Sequence, residues 1–309
     1  MTGYALQDFG GTFLTTERRV VDGETYPGIS AYVEWFIPEH PRALSVTFVH
    51  GGGGQGSEFL RTPDGRPGWV HAFLRAGFPV HVLDRPGHGR NSWNPKVLGS
   101  SLPAPSYEFL YPRFVEPARA APWPGADRHS RWPETPVAGD RFMASQGPMA
   151  TTLEASQRHV EAIATQLFQL TGPTVLVSHS AGGPLGWALA AMGGDQVAAI
   201  LAIEPLGEPG LQHALGRFDN GLSAVAFAGP ADPYARPIAV VSGEATWMRA
   251  NNARAADFLA RQGHDAEHIR LEEHGITGNG HMMMSETNSD QIAAFLIGWL
   301  TRRLGLPGR

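Results

Sequence analysis

The sequence predicts the α/β class, a single domain over residues 1–309 built on one mostly parallel sheet flanked by helices. Two observations carry that expectation. Short apolar runs alternate with helical patterns along the chain, as they do where parallel strands are joined through covering helices. With 309 residues, 42% of them hydrophobic, the chain can also bury one large core. A third observation qualifies the picture: residues 92–148 follow neither period and predict a cap-like insertion after the fourth strand.

In order, residues 13–21 and 29–37 have β-rich composition around the turn signals Asp22-Gly23 and Pro27-Gly28, and predict an antiparallel pair. Residues 44–49 form a short apolar strand ending in His50-Gly51-Gly52-Gly53-Gly54. Trp69, Val70, Phe73 and Leu74 have helical spacing, and residues 79–83 read as the fourth strand. The excursion at 92–148 comes next, dense in proline and aromatics as in "APWPGADRHSRWPETP". Leaving the carboxyl end of a strand, where open α/β sheets place their ligands, it is expected to act as a lid. Beyond it come a helix at 151–170, a strand at 174–177, a helix of small residues after Ser180, and strands at 197–203 and 238–241. A helix at 250–261, a strand at 268–271 and a helix at 290–304 close the chain.

Composition excludes several classes of function. The 24 basic and 29 acidic residues give a net charge of −5 without a dense basic segment, so neither nucleic acid nor a membrane surface is an expected partner. There is no cysteine, which removes disulfides, thiol nucleophiles and cysteine-bound zinc. No spacing of histidines or carboxylates suggests a metal, and no cofactor is expected. Residues 1–10 lack a basic stretch followed by an apolar one, and no apolar run approaches the ~20 residues that span a bilayer. A cytoplasmic location is therefore expected.

The chemistry starts at Ser178-His179-Ser180-Ala181-Gly182, a small-x-Ser-x-Gly pattern between an apolar strand and a helix. So tight a turn requires small residues two positions either side of the serine, and it exposes the hydroxyl as a nucleophile. Ser178 replaces the usual first glycine. An activated serine needs oxyanion donors and a base. The glycine run after residue 49 offers the N–H of Gly52, to pair with that of Ala181. His50 and His179 are read as supporting residues. His274 and His281 both precede the last helix; His281 is preferred as base because it sits in a glycine-rich loop just before a helix start, with Asn288 or Ser289 as N-cap. Met282, Met283 and Met284 read as core or pocket wall. For the acid, the strand at 197–203 runs into Glu204 and the strand at 238–241 leads to Glu244. Spacing alone leaves the two undecided.

Ser178-His-Ser-x-x-Gly, Ile203-Glu-Pro, Gly278-Asn-Gly-His-Met-Met-Met, Thr62-Pro-Asp-Gly-Arg-Pro-Gly-Trp and Asp84-Arg-Pro-Gly-His-Gly-Arg together resemble a bacterial esterase family of α/β hydrolases, over about residues 10–305. The resemblance implies a triad of Ser180, Glu204 and His281, with the acid after strand six, and a homodimer. It implies too that the excursion at 92–148 contributes to a cap, since little chain lies between Glu204 and strand seven. That family's residues after His-Gly vary and can be bulkier than Gly52-Gly53, which implies a wider oxyanion region here. The expected function is hydrolysis of a small apolar ester or lactone through an acyl-enzyme. Acyl transfer, carbon–carbon bond hydrolysis and non-enzymatic ligand binding are the alternatives.

Overall fold

A computed structural model describes residues 5–120, 123–135, 137–209, 232 and 234–308. Eight strands form one sheet: β1 (Leu6–Thr15), β2 (Ser30–Pro38), β3 (Ser45–Val49), β4 (Val80–Asp84), β5 (Thr174–His179), β6 (Val197–Ile203), β7 (Ile238–Ser242) and β8 (Ala266–Arg270). Their spatial order is β1-β2-β4-β3-β5-β6-β7-β8, and β2 alone runs against the rest. The opening pair differs from expectation at its first strand. Asp22 (φ 53°) and Gly23 (φ 81°) turn a small hairpin of their own, Arg19–Val21 against Glu24–Tyr26, so β1 ends at Thr15 instead of running on to residue 21. Two consecutive left-handed residues are the geometry of a two-residue hairpin, which closes on its immediate neighbours.

Side chains alternate across the sheet with a period of two, and both faces are apolar. Val46, Phe48, Val175, Val177, Leu201 and Val241 face one way. They pack with Trp69 and Phe73 of α1 (Trp69–Arg75) and with Ile292 and Leu296 of α5 (Ser289–Arg303). Leu176, Ile200 and Val240 face the other way, toward α2 (Leu153–Thr171), α3 (Gly182–Gly193) and α4 (Arg249–Arg261). Parallel strands covered on both sides place their carboxyl ends in one row, and the loops leaving that row build the site.

The excursion leaves after β4 and consists of short helical turns, among them Tyr107–Leu110, Tyr111–Val115 and Ala138–Ala144. Ser101–Leu102 pairs with Met149–Ala150, tying its two ends together. The stretch between Glu204 and β7, expected to leave little room for a cap, includes residues 210–231 and 233, which lie outside the described residues. Among the described residues, no helix is long and apolar enough to cross a membrane.

Candidate active site

Ser180 stands between β5 and α3 with φ 55°, a left-handed backbone that a side chain adopts at a cost. The turn is held from both sides: Ser180 N–H donates to Ile203 O at 3.0 Å, and Ser180 O accepts from Gly183 and Leu206 N–H at 2.8 and 3.0 Å. A Cβ on Gly182 would come within 2.3 Å of His50 O, so only glycine fits two residues after the serine. Two residues before it, Ser178 fits because Gly186 of α3 lies opposite; a Cβ there would stand 2.6 Å from Ser178 Oγ. The departure from a glycine at 178 is thus matched by a glycine one turn into α3.

His281 Nε2 lies 2.8 Å from Ser180 Oγ, and its Nδ1 lies 3.3 Å from Glu204 Oε2. The three side chains meet although 101 and 77 residues separate His281 from Ser180 and Glu204. Burial lowers the His281 imidazole to about 3, against an opposing pull from the charge of Glu286, so the ring is neutral and one nitrogen is free to accept. Glu204, at φ 48°, also has a left-handed backbone at the end of its strand. Its Oε1 accepts from Gly243 N–H at 2.6 Å and its Oε2 from the Thr246 hydroxyl. Burial pushes this carboxyl up, and the Thr246 and Gly243 bonds oppose that.

Glu244 is elsewhere. Its Oε2 accepts from Gly278 N–H at 2.9 Å and its Oε1 sits 3.4 Å from Arg128, with no contact to His281. His274 is exposed, its ring 4.7 Å from that of Phe295. Asn288 does precede α5, but its side chain makes no cap; it exchanges hydrogen bonds with Asn279, steadying the loop that carries His281. Met282, Met283 and Met284 are buried in the core. His179 Nε2 lies 3.0 Å from His281 O, and its buried, neutral ring donates there.

Ala181 follows the serine directly, and Gly51, the residue before Gly52, packs against it, an added Cβ standing 3.0 Å from Ser180 Cβ; among the described residues neither Gly52 N–H nor Ala181 N–H has a protein acceptor. Their neighbours are fixed. Arg85 N–H donates to His50 Nε2 at 3.2 Å, which places the His50 proton on Nδ1 and makes it a donor to Gly51 O at 2.9 Å. Arg85 Nη2 donates to Gly51 O and Gly52 O at 2.5 and 2.7 Å.

Several contributors had no local signature. Phe114, from the excursion, and Trp247, after β7, bring their rings to 5.1 and 5.4 Å from that of His281. Leu153, Leu206 and Met248 pack with Ala181 and Trp247 as a separate apolar cluster. His129, also from the excursion, bonds Glu286 Oε1 at 2.9 Å, and the same oxygen accepts from Gly280 N–H at 2.8 Å. Both partners are buried, and this ties the excursion to the residue before His281. The density of aromatics in residues 92–148 was the one hint.

Comparison with known proteins bears on the fold and the class of activity. Residues 45–240 match a family described as the alpha/beta hydrolase fold. A curated protein of Fungal sp. (strain ATCC 74256), named "Probable secreted lipase phiG", is 28% identical, the match covering 91% of this chain and 88% of that one. A bacterial esterase solved at atomic resolution superposes with TM-score 0.69 at 24% identity, covering 98% of both chains. Carboxyl esterase 2 of the mycorrhizal fungus Tuber melanosporum gives TM-score 0.51 at 14% identity over 98% of this chain and 90% of that one. The fungal relative corrects one expectation: a name that includes "secreted" points to an extracellular protein, and the cytoplasmic location is withdrawn. The expectation rests on the composition of residues 1–10 and on the lack of a bilayer-length apolar run, neither of which decides where a chain works.

Proposed function

Because the chain belongs to the α/β-hydrolase family and is a carboxylesterase-type hydrolase, we propose that it cleaves small apolar esters or lactones through an acyl-enzyme on Ser180. The observation that carries this reading is the 2.8 Å contact between Ser180 Oγ and a neutral, buried His281. His281 Nε2 takes the hydroxyl proton as Oγ attacks the ester carbonyl carbon. The carbonyl oxygen becomes an oxyanion and is held by the N–H groups of Gly52 and Ala181. Glu204 stabilises the imidazolium through Nδ1–H. Collapse of the intermediate breaks the bond to the alcohol, which leaves with the proton from Nε2. Water then enters by the reverse sequence, releases the acid and restores Ser180.

Phe114, Trp247 and the cluster around Leu153, Leu206 and Met248 support an apolar substrate, since they offer ring faces and aliphatic carbon beside the serine. Phe114 belongs to the excursion at 92–148, which serves in this reading as a cap over the cleft. The test is Ser180→Ala, assayed on aryl and alkyl esters of graded acyl length alongside lactones. Hydrolysis and labelling by a fluorophosphonate should both vanish, with a loss of up to ~10⁶ in kcat if the three side chains act as a unit. An alanine variant that still turns over substrate and is labelled at another serine would move the nucleophile elsewhere.

A further inference from the structure

Behind the glycine run lies a buried cation that the reaction above does not use. Arg85 follows β4 directly and is 3% exposed, yet its Nη2 is bonded to two neutral carbonyls, Gly51 O and Gly52 O, and not to a carboxylate. Burial lowers its pKa to about 9, with only the nearby Glu58 pulling the other way. A charge so placed costs stability, and its position must be explained by what it holds.

It holds two peptide planes. Neither peptide bond is cis, and in a trans peptide the C=O and the following N–H point in opposite directions. Drawing Gly51 O toward Arg85 therefore turns Gly52 N–H away from it, and drawing Gly52 O does the same for Gly53 N–H. His50 Nδ1–H reinforces the first plane. On the nucleophile's side, Gly51 packs so closely that an added Cβ would stand 3.0 Å from Ser180 Cβ. Four consecutive glycines would otherwise leave these planes free to rotate, whereas oxyanion stabilisation depends on donors fixed before charge develops.

We infer that Arg85 is a positioning residue that clamps the Gly51 and Gly52 carbonyls from behind, so that the N–H groups of this turn stand ready for the oxyanion. Its charge also polarises the clamped peptides, making those N–H groups stronger donors. The inference rests on the reading of Ser180 as nucleophile and Gly52 as an oxyanion donor, so Ser180→Ala is measured first. If that variant still hydrolyses ester, the underlying reading fails whatever Arg85 does.

The decisive readout is the preference for an ester over its thionoester, in which sulfur, a weak acceptor, replaces the carbonyl oxygen. Arg85→Gln and Arg85→Met should each lower kcat on the oxygen ester by ~10²–10³, the loss typical of one oxyanion donor, with KM little changed. The oxygen-over-sulfur preference should fall in proportion, and Arg85→Lys should recover part of both. A fall in kcat with the wild-type preference retained overturns the proposal, because a merely structural residue would slow both substrates alike. If neither neutral variant folds by near-UV circular dichroism, Arg85→Lys decides alone. Its shorter reach leaves one carbonyl unheld, so kcat and preference must both fall, and a wild-type value of either overturns the clamp.

Discussion

Replacing Glu204 by glutamine removes one charge and almost no volume, and the hydrogen bonds around it dictate the outcome. Glu204 Oε1 accepts from Gly243 N–H at 2.6 Å. An amide nitrogen cannot accept that donor, so the glutamine must leave its oxygen there and turn its NH2 group into the place of Oε2. Thr246 can rotate its hydroxyl to accept, so folding should survive. At the same position the NH2 faces His281 Nδ1, where it donates. The imidazole must then carry its proton on Nε2, the atom 2.8 Å from Ser180 Oγ that should receive the serine proton. A wrong tautomer of this kind costs ~10⁴ in kcat in a serine protease, or ~5 kcal/mol of barrier. Glu244→Gln changes a carboxylate bonded to Gly278 and Arg128 and away from His281, and should lose little. Both variants are to be assayed for kcat on one ester, with near-UV circular dichroism confirming the fold. The reverse ranking would refute the assignment of Glu204 and return the acid to the end of β7.

Three further outcomes are expected. His281→Ala should be as damaging as Ser180→Ala while the exposed His274→Ala is nearly silent; equal losses in kcat would leave the base unidentified. The plateau of kcat/KM should extend below the ordinary imidazole value of about 6.5, since burial lowers His281 and only the neutral ring accepts a proton; an acid limb centred at or above that value would contradict the burial. Stability should also fall with acid. His50, His81, His88, His159, His179 and His281 are all lowered by burial, so the unfolded chain binds protons more readily. The stability they contribute is complete above about pH 6.5 and is lost below it at up to ~1.4 kcal/mol per pH unit for each, while the raised carboxyls of Glu58 and Glu204 oppose the trend. Urea midpoints that stay flat from pH 7 to pH 5 would show that these rings titrate normally.

The parts of the site that are legible in the sequence are those whose constraint is local. Ser180 shows itself because a tight strand-to-helix turn demands small neighbours within the same few residues, and His281 because glycines lead into it just ahead of a helix. The choice between Glu204 and Glu244 is not local. β6 and β7 are adjacent in the sheet, so both glutamates leave neighbouring strand ends, and only the turn of each backbone decides which one points at the imidazole. The resemblance to an esterase family, not the spacing, favoured Glu204. Arg85, Thr246 and the His129–Glu286 pair act across gaps of up to 157 residues, through contacts that leave no period or motif behind. The fold is legible where strands and helices alternate, and not at residues 16–26, where Asp22-Gly23 turns a private hairpin that the apolar pattern does not mark.

The His129–Glu286 contact bears on how this enzyme could be re-engineered. Exchanging residues 92–148 for the corresponding piece of a relative looks like a modular operation, because the ends of the excursion are paired at Ser101–Leu102 and Met149–Ala150. It is not modular. Besides His129, Ser130 N–H donates to Gly278 O at 3.0 Å and Arg131 Nε to Thr277 O at 2.8 Å, so one short segment of the excursion braces the loop that presents His281. A transplanted piece lacking those donors would loosen the loop that presents His281 along with whatever else it changed. Chimeras of this protein should therefore keep residues 129–131 native and draw their variation from the turns around Phe114.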